Sequence, residues 1–192
     1  MTSDSTLAHD EGYLTALQQL WDRSDYDRGF ISNPFAGDET ARLGLQRTAE
    51  VLERLGNPRA RYRILHVAGS KGKGSTCAFA RSILTAAGKR AGFYSSPHLH
   101  SYRERIAVDG EPISETAFAA AWAHVLATAE ALESDKPALG RVSSFELLTA
   151  MALYYFATEG CDAAVVEVGL GGTLDATNVI TPASTAITAL DY

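Results

Sequence analysis

Eight consecutive residues, Gly69-Ser70-Lys71-Gly72-Lys73-Gly74-Ser75-Thr76, have the composition of a phosphate grip. Glycines at 69, 72 and 74 let backbone N–H groups converge on anionic oxygens without interference from a Cβ. A helix opening just after, near Ser75, would add the positive end of its dipole. Lys73 can neutralise charge on the β- and γ-phosphates, and Ser75 or Thr76 can offer a hydroxyl to Mg²⁺. The commonest form of such a loop is G-x-x-x-x-G-K-[ST]; here an extra glycine, Gly74, separates Lys73 from Ser75. A glycine-rich turn without a ligand is the plain alternative, and two lysines followed by two hydroxyls in this order argue against it. The sequence therefore predicts a nucleoside triphosphate site over Gly69–Thr76.

A second carboxylate-bearing position stands out. Glu167 closes the apolar run Asp162-Ala163-Ala164-Val165-Val166-Glu167-Val168 and precedes Gly169-Leu170-Gly171-Gly172. Ligands in open α/β sheets sit outside the carboxyl ends of strands, and Mg²⁺ prefers oxygen donors. Capping of the following glycine turn is the competing role for Glu167. Asp175 and Asn178 could contact phosphate or hold the loop by Asx-turns; a structural role is expected for Asp175 and a nucleotide-side role for Asn178. Glu146, among apolar helix residues, is expected to brace a loop, and Tyr154, Tyr155 and Phe156 to pack in the core.

These residues need elements to place them. Residues 1–10 read as a disordered tail, and 11–192 as one nucleotide-binding unit. Apolar residues at helical spacing predict helices over Glu11–Trp21 and around Leu43–Leu55, the second ending at Gly56-Asn57-Pro58. Ser24–Asp38 reads as loop. The run Arg63–Ala68 enters the phosphate loop as a buried strand. Further strands are expected at Arg90–Tyr94, Arg105–Val108, Asp162–Val168 and Thr185–Leu190. Helices are expected at Thr76–Ala87, at Ala117–Leu132 behind the N-cap Ser114, and at Phe145–Thr158 behind Ser143 or Ser144. A linker is read at Ser134–Gly140. Strands alternating with helices predict an α/β fold with a mainly parallel sheet, layered between helices.

Composition narrows the function classes. The 192 residues carry a net charge of −6 and no long basic run, which argues against nucleic acid as the main partner. The longest apolar candidate, Leu147–Ala157, is about half of the ~20 residues a bilayer requires. The polar, acidic start lacks a secretory h-region. Cys77 and Cys161 have no metal-ligand spacing and read as reduced, buried thiols. A cytoplasmic protein without membrane partners is expected.

Several ordered blocks extend the phosphate loop into a recognisable pattern. His66-Val67-Ala68-Gly69-Ser70-Lys71-Gly72-Lys73-Gly74-Ser75-Thr76 resembles the loop of the Mur ligase superfamily, and within it the folylpolyglutamate synthase / dihydrofolate synthase family. The same family's pattern is matched by Leu55-Gly56-Asn57-Pro58, by Tyr94-Ser95-Ser96-Pro97-His98-Leu99 with Glu104-Arg105-Ile106, and by Ser144–Thr149. Glu167–Gly172 and Leu174-Asp175-Ala176-Thr177-Asn178 complete it. Thr173 stands where the family usually has Arg.

The resemblance implies a three-layer, Mur-ligase-like ATPase domain, present as its N-terminal part only. Family members continue with a metal-binding His, a carbamylated Lys and a C-terminal domain. It implies ATP and Mg²⁺ as cofactors, with L-glutamate and dihydropteroate or a reduced folate as substrates, and a monomeric full-length form. The γ-phosphoryl group would activate a substrate carboxylate as an acyl phosphate, which the glutamate amine attacks. Lys73 and Glu167 would be catalytic, and Ser75, Ser96 and Glu167 the metal ligands. Ser96, Pro97, His98 and Arg105 would face the pterin substrate; a solvated loop histidine and a salt-bridging arginine are the plain alternatives for the last two. Two other readings stand beside this one: a different ligase of the superfamily, and an ATP-binding fragment without turnover.

Overall fold

The computed structural model describes residues 9–24 and 38–191. The first helix, α1 (Glu11–Asp22), starts where the Asp10 side chain accepts the Tyr13 N–H, a cap worth about 1 kcal/mol. It buries Tyr13, Ala16 and Leu20. The second helix, α2 (Asp38–Arg54), ends as expected. Gly56 and Asn57 turn through φ values of 78° and 51°, and Pro58 prevents continuation. Most of the loop expected at Ser24–Asp38, and residues 1–8 of the expected tail, lie outside the described residues.

From here the chain alternates. Strand β1 (Arg63–Ala68) leads through the glycine loop into α3 (Lys73–Ala86), and β2 (Ala91–Tyr94) follows. The helix begins at Lys73, two residues before the expected start near Ser75, because Gly72 at φ 80° supplies the turn that caps it. A hairpin then forms, β3 (Ile106–Val108) and β4 (Glu111–Pro112), around Asp109 and Gly110, both at positive φ. Next come α4 (Glu115–Asp135), α5 (Ser144–Thr158), β5 (Ala163–Glu167) and β6 (Ser184–Ile187). Ser114 and Ser143 are the caps of α4 and α5, each accepting a first-turn N–H. The linker expected at Ser134–Gly140 instead begins inside α4 and contains a short 3₁₀ turn, Pro137–Leu139.

The sheet has the order β4-β3-β2-β5-β1-β6. β2, β5, β1 and β6 run parallel, while β3 and β4 add an antiparallel edge. Side chains alternate between its two faces. Ile64, Tyr94, Ala164 and Val166 join the main core with α5, α2, α4 and α1. Val67 and Val165 instead meet Cys77 of α3 in a smaller cluster. The result is a helix–sheet–helix arrangement with a mainly parallel sheet, the layered α/β fold that the alternating elements predict. A buried ion pair ties α2 to α5: Arg47 Nη2 and Nε donate to the two Glu146 oxygens at 2.7 and 2.8 Å. Glu146, expected to brace a loop, instead braces one helix against another.

The final strand differs from its expectation. β6 spans Ser184–Ile187 rather than Thr185–Leu190, and Ser184, Thr185 and Ile187 are exposed rather than buried. Among the described residues its partner is β1 alone, on one side. Both thiols are free and buried; burial raises Cys77 to about 12 and Cys161 to about 11. No helix among the described residues is long and apolar enough to cross a membrane.

Candidate active site

The carboxyl ends of β1, β2 and β5 gather three segments: the phosphate loop, the turn after Tyr94 and the loop after Glu167. Each is held by side-chain chemistry that can be traced.

In the phosphate loop, the first-turn N–H groups of Lys73, Gly74 and Ser75 have no intrahelical carbonyl to bond. They form the anion-facing start of α3, backed by its dipole. Lys73 Nζ donates to the Gly69 carbonyl at 2.8 Å, so its ammonium lies back over the loop. Ser75 is exposed. The first half of the loop is committed elsewhere. Ser70 N–H and Lys71 N–H both point at the Ala189 carbonyl, at 2.8 and 3.4 Å. Ser70 Oγ accepts the Asp191 N–H at 3.1 Å, and Lys71 Nζ pairs with Asp191 at 2.5 Å. Gly69 sits at φ 136°, and a Cβ there would lie 2.0 Å from Thr188 Oγ1, so only glycine fits. The eight residues read as one grip therefore divide into Gly69–Lys71, anchored to the strand-end segment 188–191, and Gly72–Thr76, presented at the helix start.

Glu167 is 5% exposed. Its Oε2 accepts the Ser96 N–H at 3.3 Å. A Cβ on Gly74 would lie 3.7 and 3.8 Å from its two oxygens, so the carboxylate faces the first turn of α3. Burial raises its pKa, against the pull of the Ser96 N–H and the Lys73 charge. A buried carboxylate held upward in this way gains from a cation. Mg²⁺ takes hard oxygen donors and keeps several waters; of the expected ligands, Glu167 is buried, Ser96 meets it through its backbone N–H, and Ser75 is exposed in the first turn of α3. Among the described residues no group of three His, Cys, Asp or Glu side chains comes together, so a zinc-type ligand set does not form there. The alternative role for Glu167, capping the glycine turn, falls to Asp175, whose Oδ2 accepts the Leu170 N–H at 2.9 Å.

The turn after β2 carries the expected substrate-side residues. Arg105 Nε donates to His98 Nδ1 at 2.8 Å. Burial and then the Arg105 charge lower the His98 pKa, so the neutral ring carries its proton on Nε2. The Tyr102 ring lies against both, its centroid 4.3 Å from the His98 ring at a tilt of 48° and 5.0 Å from the Arg105 guanidinium carbon. Ser96 is half-buried and Pro97 exposed. The pair is thus built into one cluster, with Arg105 committed to His98 and, among the described residues, in no ion pair with a carboxylate. Glu104 organises the turn by accepting the N–H groups of Leu99, His100 and Ser101 at 2.9, 2.9 and 2.7 Å. The Ser101-x-x-Glu104 spacing was the available signal, a capping box.

Asn178, expected on the nucleotide side, is exposed and donates its Nδ2–H to the Thr173 carbonyl at 2.9 Å. Sequence reasoning missed His66 and Thr177. Both are buried, and His66 Nε2 lies 2.8 Å from Thr177 Oγ1.

With this geometry in place, relatives decide the family. No family model matches the chain. The dihydrofolate synthase/folylpolyglutamate synthase of Bacillus subtilis is 42% identical over 150 residues, 78% of this chain and 34% of the relative. The Mycobacterium tuberculosis folylpolyglutamate synthase, solved with ADP, superposes with a TM-score of 0.81 at 34% identity. That match covers 94% of this chain and 37% of the other. A folylpolyglutamate synthase complex with AMPPCP and folate gives a TM-score of 0.76 at 36% identity, covering 94% and 41%. The chain belongs to the folylpolyglutamate synthase/dihydrofolate synthase family. It spans about a third of the length of the family members it matches.

Proposed function

We propose that this chain is the phosphate-binding part of an ATP-dependent ligase that adds L-glutamate to a dihydropteroate or reduced folate carboxylate. The observation that carries the reading is the facing of Glu167 and the first turn of α3 behind Lys73. A buried carboxylate and an ammonium at the same strand ends bring opposite charges to the place where a metal–triphosphate complex would need both. The solved relatives with ADP, and with AMPPCP and folate, support the same ligand classes.

In this reading the Lys73, Gly74 and Ser75 N–H groups hold phosphate oxygens, and Lys73 leaves the Gly69 carbonyl to neutralise the transferring γ-phosphoryl group. Glu167, Ser75 and Ser96 would hold Mg²⁺, which neutralises phosphate charge when bound. A substrate carboxylate oxygen attacks the γ-phosphorus and ADP leaves, giving an acyl phosphate. The glutamate amine then attacks the acyl carbon and phosphate departs. The first transfer needs positioning and charge neutralisation more than covalent help, which is what these residues supply. The cluster of His98, Tyr102 and Arg105 offers aromatic surface and a proton on His98 Nε2 to a planar substrate. Ser70, Lys71 and Asn178 shape the loop around the nucleotide.

Calorimetric titration with Mg–AMPPCP tests the nucleotide half. Binding by the unsubstituted chain and its loss in Lys73→Ala are expected. The ligase half is tested on the protein with its remaining domains, by phosphate release with ATP, glutamate and either dihydropteroate or tetrahydrofolate. Nucleotide binding without amide formation in that form would establish the non-ligating reading instead.

A further inference from the structure

Behind the glycine turn lies a chain of hydrogen bonds that the proposed reaction does not use. Asp175, Thr177 and His66 are 8%, 0% and 8% exposed. Asp175 Oδ1 accepts both the Thr177 N–H at 2.9 Å and the Thr177 hydroxyl at 2.5 Å. Its Oδ2 accepts the Leu170 N–H at 2.9 Å. His66 Nε2 lies 2.8 Å from the same Thr177 oxygen. A threonine hydroxyl has one proton. That proton goes to Asp175, whose oxygens already receive backbone donors. The Thr177 oxygen is therefore left as an acceptor, and His66 must carry its proton on Nε2. Burial lowers the His66 pKa, in keeping with a neutral ring.

The ends of this chain matter. His66 is in β1, three residues before Gly69. Asp175 grips the turn that follows Glu167, and Val168 N–H bonds the Val67 carbonyl at 2.9 Å between them. Space is tight around the grip: a Cβ on Gly169 would lie 2.5 Å from Phe145 Cζ and 3.0 Å from Asp175 Oδ2. The turn cannot shift without moving this set. We infer that His66, Thr177 and Asp175 form a positioning relay, with the Thr177 hydroxyl as its centre, that fixes the Glu167 strand end against the start of the phosphate loop. The relay touches neither nucleotide nor metal. It acts by holding the carboxylate and the loop in one register, as outer partners of ligating groups do. This role rests on the nucleotide reading proposed above.

Thr177→Val removes the hydroxyl, Thr177→Ser restores it, and His66→Phe removes the donor from the other end while keeping a ring. Three readouts separate positioning from mere support. Imidazole ¹⁵N spectra are expected to show the Nε2–H tautomer in the unsubstituted protein and in Thr177→Ser. Hydrogen exchange at the Leu170 amide is expected to accelerate in Thr177→Val and in His66→Phe. Mg–AMPPCP affinity is expected to fall on the order of tenfold in both and to return to within about twofold in Thr177→Ser, at temperatures where every variant is folded by circular dichroism. An Nδ1–H tautomer, or unchanged Mg–AMPPCP affinity in a folded Thr177→Val or His66→Phe whose Lys73→Ala counterpart has lost binding, would overturn the relay. No Mg–AMPPCP binding by the unsubstituted protein would overturn the nucleotide reading, and this role with it.

Discussion

Glu167 is held at a cost. Its carboxylate is buried, accepts one backbone N–H at 3.3 Å and has a raised pKa. The sign of the linkage follows. A carboxyl whose native pKa exceeds its unfolded value, near 4.3, contributes stability that is complete below that value. The contribution is lost as pH rises through the raised native pKa. As pH rises, the ligand-free protein therefore comes to carry an ionised group that folding disfavours. Glu167→Gln is expected to raise the thermal midpoint at pH 7 and to flatten the loss of stability above pH ~4.3, read by calorimetric scans across pH. The same substitution is expected to weaken Mg–AMPPCP binding by at least about tenfold. A stability gain joined to a binding loss is the pattern of a residue kept for its ligand; loss of both would mean that Glu167 is structural. Lys73 is the counterpart at the start of α3, beside the same strand ends. Its bond to the Gly69 carbonyl is one that nucleotide binding must break.

At the scale of elements, a buried ion pair ties α2 to α5 beside the core they share. Arg47 meets Glu146 through two bonds, and Arg47 Nη1 also donates to the Leu139 carbonyl at 2.7 Å. Gly44 is required beside it, because a Cβ there would lie 2.8 Å from Glu146 Oε1. Arg47→Met would leave the Glu146 charge buried alone, which costs roughly 3–5 kcal/mol. Urea unfolding is expected to show that loss, and Arg47→Met with Glu146→Leu to recover most of it. A single substitution within about 1 kcal/mol of the unsubstituted protein would show that water reaches the pair. Elements of this kind also mark what a sequence discloses. β1 and β5 are legible because they are short apolar runs ended by glycine turns, and the caps Ser114 and Ser143 because short polar side chains precede helical periodicity. The candidate site's local half, Gly69–Thr76 with Glu167, rests on the same kind of local signal, which does not disclose that Gly69–Lys71 are anchored to 188–191. Its long-range half is not legible in this way. Ala189 taking the Ser70 and Lys71 amides, and His66 meeting Thr177, join residues more than a hundred positions apart, and no local spacing encodes them. α3 starts two residues before Ser75, with Gly74 inside its first turn, where a glycine costs only about 1 kcal/mol of propensity.

At the scale of the molecule, the two faces of the sheet are unequally covered. α1, α2, α4 and α5 close one face over a continuous core. On the other, α3 packs chiefly on β5 and β2. Two apolar residues one turn apart on α3, Phe79 and Ile83, are 71% and 69% exposed. Ile187 of β6 is 70% exposed and Leu190 beyond it 54%. Among the described residues no strand pairs with the second side of β6, and such an edge is a template for another strand. Apolar side chains beside an open parallel edge favour association over solution as a monomer. Sedimentation of the 192-residue chain across a concentration series is expected to show reversible self-association. Phe79→Lys with Ile83→Glu, both on the exposed helix face, is expected to weaken it several-fold without lowering the thermal midpoint, since surface changes away from the core usually shift stability by less than about 0.5 kcal/mol. Lys71 and Asp191 set a limit on the remedy. Pairing at the β6 edge lies next to the segment that anchors Gly69–Lys71, so association through that edge is expected to be sensitive to nucleotide, whereas association through α3 alone is not. A chain that sediments as a monomer at every concentration, with one cooperative unfolding transition, would show that this face needs no cover.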